Sequence, residues 1–224
     1  MLREGKPSEG TVITASFQDS GRGQPGNSWE SEPGSNLLMS VILYPVMVKP
    51  WEQFIISRMI SLAVHDLVSL HTPDATIKWP NDIYVRDDKI AGILIENSIM
   101  GKTLGSTVAG IGLNVNQTVF RSDAPNPVSL ASVTGTAHDL PAITGKLTEL
   151  IDSRYGMILR GETAALEKDY QEVLYKAGTW HHYRDSHGVF EGLIDRVKPD
   201  GMLVMRKRNG ETAEYAFKEV DYIL

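Results

Sequence analysis

Three glycines, Gly21, Gly23 and Gly26, and one arginine, Arg22, fall between Gln18 and Trp29, directly after the apolar run Val12 to Phe17. Glycines let a backbone turn tightly and approach a ligand closely. A loop of this kind can aim N–H groups at an anion while its arginine supplies fixed positive charge. The trailing Trp29 offers a flat apolar face suited to a purine ring. Three later segments carry similar chemistry. Lys78-Trp79-Pro80-Asn81-Asp82 has a lysine able to hold a phosphate as a point charge and an aspartate able to hold Mg²⁺. Lys89 to Glu96 puts a lysine at the head of an apolar strand, with the small residues Ala91 and Gly92 behind it. A glycine inside a strand often marks the close approach of a ligand or another backbone. Gly110-Ile111-Gly112-Leu113-Asn114-Val115-Asn116 repeats the theme and ends in amide side chains. Each segment alone also reads as ordinary structure: a glycine-rich surface turn, a Pro-Asn-Asp turn, a solvated hairpin lysine, a close-packed strand.

The elements that must position these segments are legible as pattern. Thr11 to Phe17 and Leu37 to Leu43 read as strands. Pro50 opens a helix whose apolar residues Trp51, Phe54, Ile55, Met59, Leu62, Ala63 and Leu67 recur at helical spacing. Ala75–Trp79, Ile83–Val85, Ile90–Glu96 and Leu104–Val115 read as strands joined by polar turns. Asn116 to Pro127 reads as a loop, and helices are expected near 139–159 and 162–176. The order of hairpins, helix, hairpins and helices predicts an α+β fold, with a mixed, largely antiparallel sheet and helices on one side. Composition changes after Ala177-Gly178. From there to Leu224, short strands and turns predict a small β-barrel or sandwich of about five strands packed on the main domain. The predicted boundary therefore separates residues 1–177 from 178–224.

The 224 residues are 42% hydrophobic, enough for a sizeable core, and their formal net charge of −6 argues against a general nucleic-acid binder. With no cysteine, disulfides, thiolate catalysis and cysteine-based metal sites are excluded. The first ten residues are polar and charged, and the longest apolar run, Leu37 to Val48, is interrupted by Ser40, Tyr44 and Pro45. Neither a signal peptide nor a membrane span is expected, and a cytoplasmic location is compatible with this composition. His181 and His182 are adjacent on a predicted strand, so they point to opposite faces and are badly placed to share one metal ion.

Taken in order, Gly21-Arg22-Gly23 with Trp29, Lys78 to Asp82, Lys89 to Glu96 and Gly110 to Asn114 resemble the catalytic domain of biotin–protein ligases. The likeness runs from about residue 11 to 116, and the C-terminal β module is similar to the small SH3-like domain of that family. It implies a class II synthetase-like, biotin–lipoate ligase-like fold and a two-step reaction. Biotin attacks the α-phosphate of ATP, giving biotinyl-5′-adenylate, and a lysine of a biotin carboxyl carrier protein then takes the acyl group. The resemblance assigns catalytic roles to Arg22 and Lys89. It assigns biotin contacts to Gln18, Arg22, Gly23, Gln24, Lys89, Gly92 and Gly112, with the glycine loop closing over the ligand. It assigns ATP contacts to Trp29, Lys78, Asn81 and Asn114, with Trp29 against adenine, and Mg²⁺ to Asp82.

Two departures from the family pattern bear on these expectations. Nothing in the chain resembles the Ser-Thr-Asn strand that precedes the glycine loop in relatives, so a weaker biotin pocket and an exposed sheet edge are expected. Gln24 and Asn27 stand in a loop that carries more arginines in many relatives, so weaker retention of the adenylate is expected. The winged helix of bifunctional relatives has no counterpart in the chain, so neither repressor function nor a DNA partner is expected. A homodimer is compatible with the resemblance. Two alternatives stay open: a lipoate–protein ligase, which shares the catalytic fold, and a non-catalytic ligand-binding protein that kept the loops.

Overall fold

A computed structural model describes residues 7–23, 28–122 and 124–223. The chain runs through β1 (Thr11–Ala15), a minimal hairpin of β2 (Gly21–Arg22) and β3 (Ser28–Trp29), and β4 (Leu37–Leu43). Pro50 starts a 3₁₀ turn, Pro50–Glu52, which leads into α1 (Phe54–Ser69). Proline suits this position because its missing N–H has no helical partner there in any case. Four strands follow: β5 (Ala75–Lys78), β6 (Asp82–Val85), β7 (Asp88–Met100) and β8 (Thr103–Leu113). β7 continues four residues past the predicted end at Glu96, because Asn97 to Met100 pair with Thr103 to Thr107 across the hairpin.

These strands make a six-stranded sheet in the order β1-β4-β8-β7-β6-β5. Every pairing between its neighbours is antiparallel, and isolated parallel bridges join it at Ile77–Leu174 and Lys89–Pro127, in keeping with a mixed, largely antiparallel sheet. α1 is buried on nearly every side, with 13 of its 16 residues out of solvent. A helix buried around nearly its whole circumference must be covered on both flanks. The sheet covers one flank of α1, and α3 (Leu140–Leu159) and α4 (Thr163–Glu172) cover the other. The short α2 (Leu130–Thr134) escapes the sequence reading. It is only five residues long, and its signals are the caps. The Ser129 hydroxyl accepts from the Ser132 N–H, and Gly135 at φ 75° closes it in the left-handed region.

The C-terminal module is the expected five-stranded unit. It comprises β9 (Trp180–Asp185), β10 (Gly188–Val197), β11 (Leu203–Lys207), β12 (Thr212–Tyr215) and β13 (Asp221–Tyr222), in the order β12-β11-β10-β9-β13. One buried cation pins it to the main domain. Arg58 on α1 is 2% exposed, and its Nη2 donates to the carbonyls of Val197 at 2.8 Å and Lys198 at 2.9 Å. Its guanidinium lies over the rings of Phe54 and Tyr170 and pairs with Glu167 at 3.4 Å. Next to it, Trp79 Nε1 donates to the Gly201 carbonyl at 2.9 Å and Tyr170 Oη to the Pro80 carbonyl at 2.7 Å. The turn between β10 and β11 is thus tied to the turn between β5 and β6. Removing a charged donor that serves two buried carbonyls costs about 2–3 kcal/mol. Arg58→Met is expected to lose about that much stability in urea denaturation, and a loss below about 0.5 kcal/mol would show that the junction is held elsewhere.

Candidate active site

The segments singled out by sequence converge on one cavity of about 770 Å³. That volume is within the range of small-molecule sites. Its walls come from Phe17 to Ser20 and the β2–β3 hairpin, from β4, β7 and β8, from the β5–β6 turn, and from Phe217 to Tyr222 of the C-terminal module.

The glycines explain how the hairpin reaches the sheet. Gly21 pairs with Trp29, and a Cβ on Gly21 would stand 2.4 Å from the Trp29 carbonyl oxygen. Only a residue without a side chain lets the two strands approach this closely. Gly92 on β7 and Gly112 on β8 are direct cross-strand partners. A Cβ on Gly112 would fall 2.4 Å from Cε2 of Trp29, and one on Gly92 would fall 3.0 Å from its Cζ3. The indole therefore lies against the glycine pair, with its Nε1 buried and without a hydrogen-bond partner. The sequence reading put Trp29 on adenine and these glycines on biotin. In the structure the three lie together as one floor of the cavity, because the hairpin folds the ring back over the sheet.

Charge is concentrated around the β5–β6 turn. Lys89 Nζ donates to Asp82 Oδ2 at 2.7 Å, both side chains being about one-third exposed. Lys78 Nζ donates to Tyr84 Oη at 3.1 Å. Burial pushes the Lys78 ammonium below its usual pKa, and Lys89 and Lys176 add to that, while Asp82 and Asp221 oppose it. A lysine whose charge is only partly compensated is a good seat for an anion. Arg22 stands at the mouth, 76% exposed, with Glu96 3.7 Å from its Nη2. Such a contact is weak and leaves the guanidinium available.

Of the residues named from sequence, Gln18, Arg22, Gly23, Trp29, Lys78, Asp82, Lys89, Gly92 and Gly112 line this cavity. Gln24 lies outside the described residues. Asn81 and Asn114 are both buried and stand behind the residues that line the cavity. Asn114 Nδ2 donates to the Val128 carbonyl at 3.1 Å, so its amide holds the segment leading into α2. The sequence reading missed Phe217, Lys218, Val220, Asp221 and Tyr222, which reach the cavity from the other module. Among the described residues no three His, Asp or Glu side chains form a metal-binding group. The donor set around Asp82 suits an ion carried in by a phosphate ligand, since Mg²⁺ usually takes one or two carboxylates plus substrate oxygens. No described helix is long and apolar enough to cross a membrane.

A model of the biotin/lipoate A/B protein ligase family matches residues 1–114. The bifunctional ligase/repressor BirA of Bacillus subtilis is 26% identical over 210 residues, covering 90% of this chain but only 63% of its own length. The biotin–acetyl-CoA-carboxylase ligase of Paracoccus denitrificans is 29% identical over 209 residues, covering 87% of this chain and 83% of its own. Among solved structures, a biotin protein ligase from Aquifex aeolicus in complex with biotin and ATP superposes with a TM-score of 0.80 at 23% identity, over 98% of this chain and 91% of that one.

Proposed function

The chain belongs to the biotin/lipoate A/B protein ligase family, and on that premise we propose that it activates biotin with ATP and passes the acyl group to a lysine of a biotin carrier domain. One observation carries this reading: a single cavity gathers the glycine floor, the Lys78–Asp82 turn and Lys89. The names of the Paracoccus denitrificans and Aquifex aeolicus relatives support biotin over lipoate.

The chemistry makes defined demands. In the first step a carboxylate oxygen of biotin attacks the α-phosphorus, the α–β P–O bond breaks, and pyrophosphate leaves. In the second a carrier lysine attacks the acyl carbon, AMP leaves, and the amine gives up a proton. A carboxylate and a triphosphate repel each other, so fixed cations must offset their charge. Lys89 pairs with Asp82, Lys78 is the cross-strand partner of Asp82, and both lysines line the cavity and suit that task. Preorganised charges of this kind are commonly the largest catalytic contribution. Arg22 at the mouth suits the closing of the site over the adenylate. Asp82 would hold Mg²⁺ together with the phosphates, where the ion would supply further charge neutralisation. The glycine floor with Trp29 supplies a flat surface for a bicyclic ring.

Incubation of the chain with ATP, Mg²⁺, biotin and an unmodified biotin carrier domain tests the reading. The expected product is a carrier whose target lysine has gained one biotinyl group by mass spectrometry. Modification with lipoate but not with biotin would replace this reading with its nearest alternative.

A further inference from the structure

Among the residues through which the C-terminal module meets the candidate site, Tyr222 sets its ring beside a lysine. Lys78 Nζ lies 4.8 Å from the ring centre of Tyr84, on β6 of the main sheet, and 4.9 Å from that of Tyr222, on β13. Both distances are inside the range in which an ammonium is attracted to an aromatic face. The two rings belong to a continuous aromatic series. Tyr84 contacts Tyr175 at 5.3 Å, Tyr175 contacts Tyr222 at 5.9 Å, and Tyr222 contacts Tyr183 at 5.2 Å. Tyr183 is itself fully buried and is the cross-strand partner of Tyr222. The Tyr222 ring is therefore fixed from behind, and Lys78 and Tyr222 both line the cavity.

A lysine side chain has four rotatable bonds and loses much rotamer freedom when its ammonium must stay in one place. Two facing rings reduce that freedom before any ligand arrives. They also leave the charge uncancelled, because an aromatic quadrupole attracts the ammonium without neutralising it as a carboxylate would. We propose that Tyr222 is a positioning residue: with Tyr84 it cages the Lys78 ammonium, so the C-terminal module sets where this charge meets the phosphates of the nucleotide. The inference rests on the ligase reading and deepens it. The ring does this work and the hydroxyl does not, since Tyr222 Oη is buried with no hydrogen-bond partner.

Ring chemistry at position 222 tests this without altering shape. Tyr222→Phe is expected to keep the parent KM for ATP within about two-fold in biotin-dependent pyrophosphate exchange. Pentafluorophenylalanine at the same position has the same outline and a reversed quadrupole, and is expected to raise the KM for ATP about ten-fold. Biotin affinity and the rate at saturating ATP should stay near the parent values. Tyr222→Leu supplies a readout independent of activity. In ¹³C-lysine-labelled protein the Hε resonance of Lys78, assigned through Lys78→Arg, should lie upfield of the other lysines and move toward them in the leucine variant. An unshifted Lys78 resonance in the unaltered chain, an unchanged KM with the fluorinated ring, or a large loss with Tyr222→Phe would each overturn the proposal. A parallel loss of biotin binding, saturating rate and melting temperature in the fluorinated variant would also overturn it, by showing a purely structural role. An upfield Lys78 resonance without any exchange by the unaltered chain would instead contradict the ligase reading and leave the cage standing.

Discussion

Lys89→Ala should lower biotin-dependent adenylate formation by about 10²–10³-fold, the loss typical when one preorganised donor is removed from the developing charge of a transition state. The geometry gives a reason to expect an effect at the upper end. Lys89 is fixed through its backbone on both sides: its N–H donates to the Asn126 carbonyl at 2.7 Å, and its carbonyl accepts from the Val128 N–H at 3.0 Å. Its ammonium is held 2.7 Å from Asp82, at the edge of the cavity that the glycine floor opens. Groups on a rigid platform of this kind keep productive geometry without reorganisation. The fold should survive, because a partly exposed ion pair is worth at most about 1 kcal/mol. Rapid-quench measurement of adenylate, beside a thermal melt, separates the two effects. A variant with the parent rate would reduce Lys89 to a surface hairpin residue and move the reaction elsewhere.

Gly112→Val should weaken biotin binding by roughly ten-fold to a hundred-fold, as forced overpacking costs about 1–3 kcal/mol and each 1.4 kcal/mol is ten-fold in affinity. The added Cβ would meet the Trp29 ring well inside van der Waals distance. Either the indole is displaced or the floor is raised, and both outcomes remove the flat surface on which a bicyclic ring would rest. Gly92→Ala should act in the same direction more weakly, since its Cβ would meet only the ring edge at 3.0 Å. Calorimetric titration of biotin into the three proteins measures the series. Equal affinities would mean that the glycines serve the packing of Trp29 alone and that biotin binds off this floor.

Sequence and structure agree best where the signal is local. The long periodic helix after Pro50, the hairpin turn at Gly101 and the helix beginning near Asp139 are all legible, because period and capping chemistry act over a few residues. The glycine motifs also converge on one cavity, since a glycine in a strand registers something pressing close to the backbone. What presses close is not legible. Trp29 settles on Gly92 and Gly112 through a hairpin of two-residue strands, too short for any periodic signal. Asn81 and Asn114 occupy motif positions that suggest ligand contact, and motif position does not encode burial: both side chains are buried, and the Asn114 amide donates to the Val128 carbonyl. Phe217 to Tyr222 reach the site from the far end of the chain, through tertiary packing that leaves no mark on the intervening sequence.

The central claim is that one cavity joins a biotin-sized floor to a phosphate-binding turn so that biotin is activated by ATP. Exchange of labelled pyrophosphate into ATP measures that first half-reaction without any carrier protein. The account predicts exchange that requires biotin, is not supported by lipoate, and falls by about 10²-fold or more with Lys89→Ala. No exchange with biotin, or exchange with lipoate alone, would contradict it.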